Sequence, residues 1–173
     1  MRLLTREWGG EFEQDDRQRV WDEYRAYLAT LVGMPAPLAE FSERSDRLSV
    51  HDAILQRVSI EAAIGRISIT LLQGADAPYG FLTLVFEKAL FTVGSPAQLE
   101  RWATNRNADF LWEEISKPDA PEARAWQVGF VLSPDGEFAI ACDDFSYEWI
   151  PLPDELEDLT WDQLRPKRIV FEE

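Results

Sequence analysis

The sequence predicts an α+β protein: an antiparallel meander sheet of about six strands, with an N-terminal helix packed on one face and a short C-terminal helix. Three observations carry this expectation. Apolar runs with two-residue alternation follow one another from Gly65 to Val93. Short turn-rich stretches separate the runs, so the βαβ rhythm of a parallel sheet is missing. One stretch near the N-terminus, Gln14 to Val32, instead repeats its apolar residues at three- and four-residue spacing.

In chain order, the segment containing Leu3, Leu4 and Trp8 is expected to pack, with no form assigned. The helix Gln14 to Val32 aligns Val20, Trp21, Tyr24, Leu28, Leu31 and Val32 in one stripe. Asp15 and Asp16 complement the positive end of its dipole, Gly33 supplies a left-handed cap, and Pro35 and Pro37 forbid continuation. Pro37 to Asp46 reads as a linker or one short helix carrying Leu38 and Phe41. A first strand covers Ala53 to Ile60, where Ile54, Val58 and Ile60 share a parity.

The central block supplies the next strands. Ile67, Ile69 and Leu71 face one way, with Ser68 and Thr70 opposite. After the loop Gly74 to Pro78, Phe81 to Phe86 is apolar on both sides, which suits a strand covered on both faces. Glu87 to Val93 continues as a strand. Ser95-Pro96 starts a short helix bearing Leu99 and Trp102, the serine capping and the proline opening it. Phe110 to Ile115 is a strand, and the loop Lys117 to Ala123 leads into a hairpin. Its arms are Trp126 to Leu132 and Glu137 to Cys142, about the turn Ser133-Pro134-Asp135-Gly136.

Phe138, Ile140 and Cys142 share even parity, whereas Phe145, Tyr147 and Trp149 share odd parity. The inward face must therefore switch at Asp143-Asp144, as a β-bulge would make it do, unless both faces are covered. A helix is expected over Asp154 to Leu164 and an edge strand over Arg168 to Phe171. The expected core comprises Ile69, Leu71, Leu82, Leu84, Phe130 and Ile140, with Trp21 and Leu28 from the helix.

A length of 173 residues suits a single domain, and 46% apolar content with seven Trp and ten Phe suffices for a core. The single cysteine, Cys142, rules out an internal disulfide. The N-terminus lacks an apolar signal core, and no run reaches the roughly eighteen apolar residues of a membrane helix. The expectation is a cytoplasmic protein that contacts no membrane.

Net charge is −15 and is unevenly spread. Met1 to Arg106 carries fifteen acids and twelve bases, whereas Asn107 to Leu164 carries fifteen acids against only Lys117 and Arg124. Nucleic acid is excluded as an expected ligand, since no basic footprint exists to neutralise phosphates. An acidic surface can keep a protein soluble, and it can steer a basic partner.

Catalytic signatures are few. The chain has no glycine-rich phosphate loop, paired CxxC, HExxH or GxSxG. His51 is the only histidine, which excludes a zinc site built on two imidazoles. Its expected role, with Asp52, is to bond local backbone at a turn. On an extended chain the two side chains point apart, so Asp52 would orient His51 badly. The acid pairs Glu113-Glu114, Asp143-Asp144 and Asp154-Glu155 could serve Mg²⁺, Mn²⁺ or Ca²⁺ only if one member of each converged on a point. Cys142 lies in an apolar row and reads as core.

The order LLTREW, the Trp/Tyr-bearing helix, LSVHDA, two apolar strands, WEEI, a hairpin and GEFAIACDDFSY resembles an uncharacterised bacterial domain-of-unknown-function family over Met1 to Trp149. That resemblance implies no activity and transfers no functional residue. Size, acidity and the missing catalytic motifs also resemble the immunity-type proteins that neutralise bacterial toxins. The expectation is therefore a non-catalytic acidic protein-binding module. Its candidate partner-binding residues are Asp119, Glu122, Asp143, Asp144, Tyr147, Glu148 and Trp149, with a basic protein as partner and neither cofactor nor metal. A metal-dependent hydrolase using the paired carboxylates is the alternative.

Overall fold

The computed structural model describes residues 14–45, 47–73, 79–104, 108–119, 124–134 and 136–166. The expectations for Leu3, Leu4 and Trp8, for the loop Gly74 to Pro78, for Asp135 of the hairpin turn and for the strand Arg168 to Phe171 lie outside these residues. Within them are helices α1 (Gln14–Leu28), α2 (Ala36–Ser42), α3 (Pro96–Thr104) and α4 (Trp161–Leu164). Eight strands form the sheet: β1 (Ile54–Glu61), β2 (Arg66–Leu72), β3 (Gly80–Glu87), β4 (Leu90–Val93), β5 (Asp109–Ser116), β6 (Trp126–Ser133), β7 (Gly136–Cys142) and β8 (Asp144–Pro151).

The chain is α+β with one antiparallel sheet, but that sheet has eight strands rather than about six, in the order β4-β7-β6-β5-β1-β2-β3-β8. It is not a simple meander. Two runs of neighbouring strands, β1-β2-β3-β8 and β4-β7-β6-β5, meet at one residue pair, Ile54 with Asp109. The extra strands arise because two chain passes bend. Glu87 pairs with Asp144 and Leu90 pairs with Ala141, so both passes advance three residues through the bend in unchanged register. Lys88, at φ 48°, and Asp143 occupy the corner. The Asp143 N–H donates to the Glu87 carbonyl at 3.1 Å, and its carboxylate lies 3.7 Å from the Lys88 ammonium. The face switch expected at Asp143-Asp144 is this corner, where β7 leaves one run and β8 enters the other.

Folding over at the corners brings the inner faces together. Phe86 of β3 meets Phe130 of β6 edge-on at 6.4 Å, although three strands separate them in the sheet. Phe130 also contacts Phe110 and stacks on Phe138 at 4.8 Å. α2 contributes Leu38 and Phe41 to this core, and α3 contributes Leu99 and Trp102. Ile69, Leu71, Leu82, Leu84, Phe130 and Ile140 are all fully buried, as alternation predicts. Trp21 and Leu28 are corrections to the expected core, for both are only partly buried. α1 lies outside β5 and buries Val20 and Tyr24 there, with Trp112 beside them.

Two helix boundaries also differ from expectation. α1 ends at Leu28, because the chain tightens into three-residue turns (Thr30 N–H to Tyr27 O, 2.9 Å; Leu31 N–H to Leu28 O, 3.0 Å) before Gly33 at φ 78°. Val32 is consequently exposed. The helix expected over Asp154 to Leu164 is two pieces, a 3-10 turn at Asp154–Leu156 and α4. Thr160 is extended between them and restarts the helix through a reciprocal capping box with Gln163. This segment folds over the outer face of the sheet, where Leu152 and Leu164 bury Leu72 and Phe81. That cover explains why β3 is apolar on both sides.

Candidate functional site

Four of the expected partner-binding residues, Asp144, Tyr147, Glu148 and Trp149, lie on β8, where the alternation of the strand separates them. Phe145, Tyr147 and Trp149 turn toward the core and are held there. Phe145 packs on Phe41 and Phe86, each at 5.3 Å. The Tyr147 hydroxyl is hydrogen bonded to the Glu40 carboxylate of α2, which raises its pKa above that of a free phenol. The Trp149 indole N–H donates to Gln73, and the ring lies over Gly80, where an added Cβ would stand 2.6 Å from it. Gln73 is fully buried and donates to the carbonyls of Arg47 at 2.8 Å and Ser49 at 3.1 Å, so Trp149 helps fix that loop. Tyr147 and Trp149 are thus built into the fold, not free aromatic anchors.

The outward residues of β8 are Asp144, Ser146, Glu148 and Ile150. Glu148 is exposed, and Ile150 is among the few large apolar side chains left open, at 40% exposure. Across the sheet, Glu148 stands in one row with Thr83, Thr70 and Arg57. The hydroxyls of Thr70 and Thr83 are hydrogen bonded at 3.0 Å. These side chains floor a shallow cleft of about 250 Å³ that Glu148 and Ile150 border. Beyond Ile150 the chain runs directly into the C-terminal segment, whose Asp154, Glu155, Glu157, Asp158 and Asp162 are all exposed.

The remaining expected acids are dispersed. Asp143 is occupied at the corner: besides Lys88 it accepts the Ala125 N–H at 3.2 Å. Asp144 is exposed and bonds the N–H of its neighbour Phe145 at 2.8 Å. Asp119 is exposed in the loop after β5, and Glu122 lies outside the described residues. The acids of the C-terminal segment lie in the acid-rich stretch Asn107 to Leu164, but Ile150 was not singled out. Strand parity counted from Glu148 would have found Ile150.

A second cluster surrounds the outer edge of β5. At every second residue a backbone group there meets a side chain from elsewhere in the sequence. The Leu111 carbonyl accepts from His51 Nδ1 at 3.0 Å, and the Glu113 carbonyl accepts from Arg44 at 2.6 Å. The Ile115 N–H donates to the Tyr24 hydroxyl at 2.7 Å, and the Lys117 N–H donates to the Tyr27 hydroxyl at 3.3 Å. The His51 ring also stacks on Trp112 at 5.0 Å. His51 therefore bonds backbone, as expected, but backbone sixty residues away instead of the local turn. Asp52 is not extended: φ of 58° swings its carboxylate to 3.7 Å from Nε2. Since Nδ1 is taken by a carbonyl and the ring by Trp112, the pair is a structural fixture.

Glu113 and Glu114 are both buried, on opposite faces of β5. Glu113 points into the core and is ion-paired with Arg44, whose guanidinium also lies 3.9 Å over the Trp21 ring. Burial pushes the Glu113 carboxyl above the usual glutamate range, and the Arg44 charge opposes that. A cleft of about 320 Å³ beside Arg44 is lined by Trp21, Tyr24 and Arg25, but the guanidinium at its base is already engaged. Among the described residues no three His, Cys, Asp or Glu side chains come together as metal ligands. The Cys142 thiol is fully buried and pushed up to about 12 by burial and by Asp143 and Asp144, so it is a poor nucleophile. Among the described residues no helix is long and apolar enough to cross a membrane.

The geometry defines an α+β protein built on one antiparallel sheet. No protein-family model matches the chain, and no curated protein does.

Proposed function

We propose that this protein is a non-catalytic binding module that receives a basic protein on the outer face of β8 and the C-terminal segment after it. The supporting observation is one of placement. No Lys or Arg stands between Arg124 and Arg165, and within that stretch Glu148, Ile150 and Asp154, Glu155, Glu157, Asp158 and Asp162 are all exposed and follow one another closely along the chain. Charge there would speed encounter with a basic partner, while Ile150 and the hydroxyl-floored cleft would supply the short-range contact. Elsewhere the acids are largely spent on local pairs, such as Arg19 with Glu23, Arg66 with Glu87, and Arg165 with Asp109. A basic toxin is one partner of this chemistry, in keeping with an immunity-type role.

The test compares the protein with a variant carrying Glu148→Lys, Asp154→Lys and Glu155→Lys. A partner recovered with the unaltered protein should associate more slowly with the variant, and as salt rises the unaltered protein should slow and the difference between the two should shrink, because exposed charges are screened over a length of roughly 8 Å at physiological ionic strength. A partner bound equally by both and indifferent to salt would contradict the reading.

A further inference from the structure

We infer that the partner is bound as an added β-strand: an extended, lysine- or arginine-bearing segment pairs antiparallel with the open edge of β8. The inference rests on the reading of the protein as a receptor for a basic partner, and adds the mode of recognition. Its evidence is the hydrogen-bond phase of β8. The Gln73 N–H donates to the Gly80 carbonyl at 2.9 Å, so Gly80, Leu82, Leu84 and Phe86 bond toward β2. Phe81, Thr83, Val85 and Glu87 then bond toward β8, where their partners in register are Ile150, Glu148, Ser146 and Asp144. The backbone groups of Phe145, Tyr147 and Trp149 consequently point away from the sheet.

What becomes of those groups is informative. The Phe145 N–H is taken by the Asp144 side chain, and Pro151 at the far end has no N–H. Among the described residues the N–H groups of Tyr147 and Trp149 have no hydrogen-bond partner and no strand lies beyond β8. Among the described residues the edge is therefore closed at both ends and open over a short central stretch. That length suits strand addition, in which backbone bonds supply affinity and alternate side chains supply specificity. Natural edges left open invite such pairing.

Charge selects the occupant. Asp144 and Glu148 flank the edge on the outer face, and the exposed Glu40 of α2, bonded to the Tyr147 hydroxyl, flanks it on the other side. A basic strand meets acids on both sides. A second copy of this chain would oppose acid to acid along the same edge, and each copy carries a net charge of −15.

The experiment uses the full-length protein and three capped synthetic peptides of alternating lysine and valine: unmodified, N-methylated at the valines, and N-methylated at the lysines. In antiparallel pairing the valines sit opposite Tyr147 and Trp149, so their amides bond the edge while the lysine amides face solvent. Binding of the unmodified peptide should slow amide exchange at Tyr147 and Trp149. Valine methylation should weaken it about tenfold or more, since it removes the edge bonds at unchanged charge, and lysine methylation should leave it nearly intact. Equal, salt-sensitive binding of all three peptides would overturn strand addition while leaving the acidic surface standing. Failure of every peptide to bind at low salt would overturn both. Protection of Tyr147 and Trp149 that grows with protein concentration, without peptide, would also overturn the inference, in favour of self-pairing.

Discussion

The free edges of β5 and β8 belong to the same sheet and are finished in opposite ways. Along β5, four backbone groups at alternate residues are each met by a side chain: His51, Arg44, Tyr24 and Tyr27. Along β8, one donor is blocked by Asp144, one is removed by Pro151, and the two between them are unmet among the described residues. An unpaired edge is a hazard that proteins ordinarily cover. Covering β5 recruits residues scattered from α1 to the turn at His51, at a cost in conformational freedom for each side chain. The contrast teaches that edge coverage in this fold is selective, and the uncovered edge is the one flanked by Asp144, Glu148 and Glu40.

The largest effects should come from breaking the covered edge. Glu113→Ala leaves Arg44 mostly buried without its counter-charge, and unfolding in urea should show a loss of about 3–5 kcal/mol. Leu84→Ala, in the core that both edges share, should cost a similar 2–5 kcal/mol. Tyr24→Phe is smaller and more specific. It strands the buried Ile115 N–H and should cost about 1–3 kcal/mol, whereas Tyr147→Phe at the exposed Glu40 bond should stay within roughly 0.5 kcal/mol. Equal losses for the two tyrosines would erase the distinction between the edges.

The pH dependence of the Glu113 site sharpens the comparison further. Its carboxyl titrates above the ordinary value of 4.5 in the folded protein, because burial outweighs the attraction of Arg44. A group with a raised folded pKa favours the fold fully below its unfolded pKa, and that contribution fades as pH rises through the folded pKa. The stability of the protein relative to Glu113→Gln should therefore be greatest below pH 4.5 and decline as pH rises past it. A difference that grows with pH would show that the Arg44 attraction wins.

Strand parity made much of this legible. Alternation placed Ile69, Leu71, Leu82, Leu84, Phe130 and Ile140 in the core, since a half-buried strand exposes its pattern locally. It also located the face switch at Asp143-Asp144. The strand count failed for a physical reason: the corners are turned by Lys88-Ala89 and by Asp143 alone, without the Gly or Pro that usually announces a turn. Trp21 looked like core because the stripe of a helix reports one buried side, not how deeply it is buried. The candidate surface was only half legible. The acid-rich stretch is visible in sequence, but the roles of Tyr147 and Trp149 depend on Glu40, Gln73 and Gly80, which only the fold brings near them. The side-chain cover of β5 joins residues sixty to ninety-one positions apart and leaves no local trace.

The most direct measurement is native-state amide hydrogen exchange on the free protein, resolved at Ile115, Tyr147 and Trp149. With β5 covered and β8 open, Ile115 should exchange only through large-scale unfolding, while Tyr147 and Trp149 should exchange through small local fluctuations and far faster. Tyr24→Phe should release Ile115 and leave the other two unchanged. If Tyr147 and Trp149 in dilute free protein are protected as strongly as Ile115, the β8 edge is not open, and the contrast on which the binding mode rests is wrong.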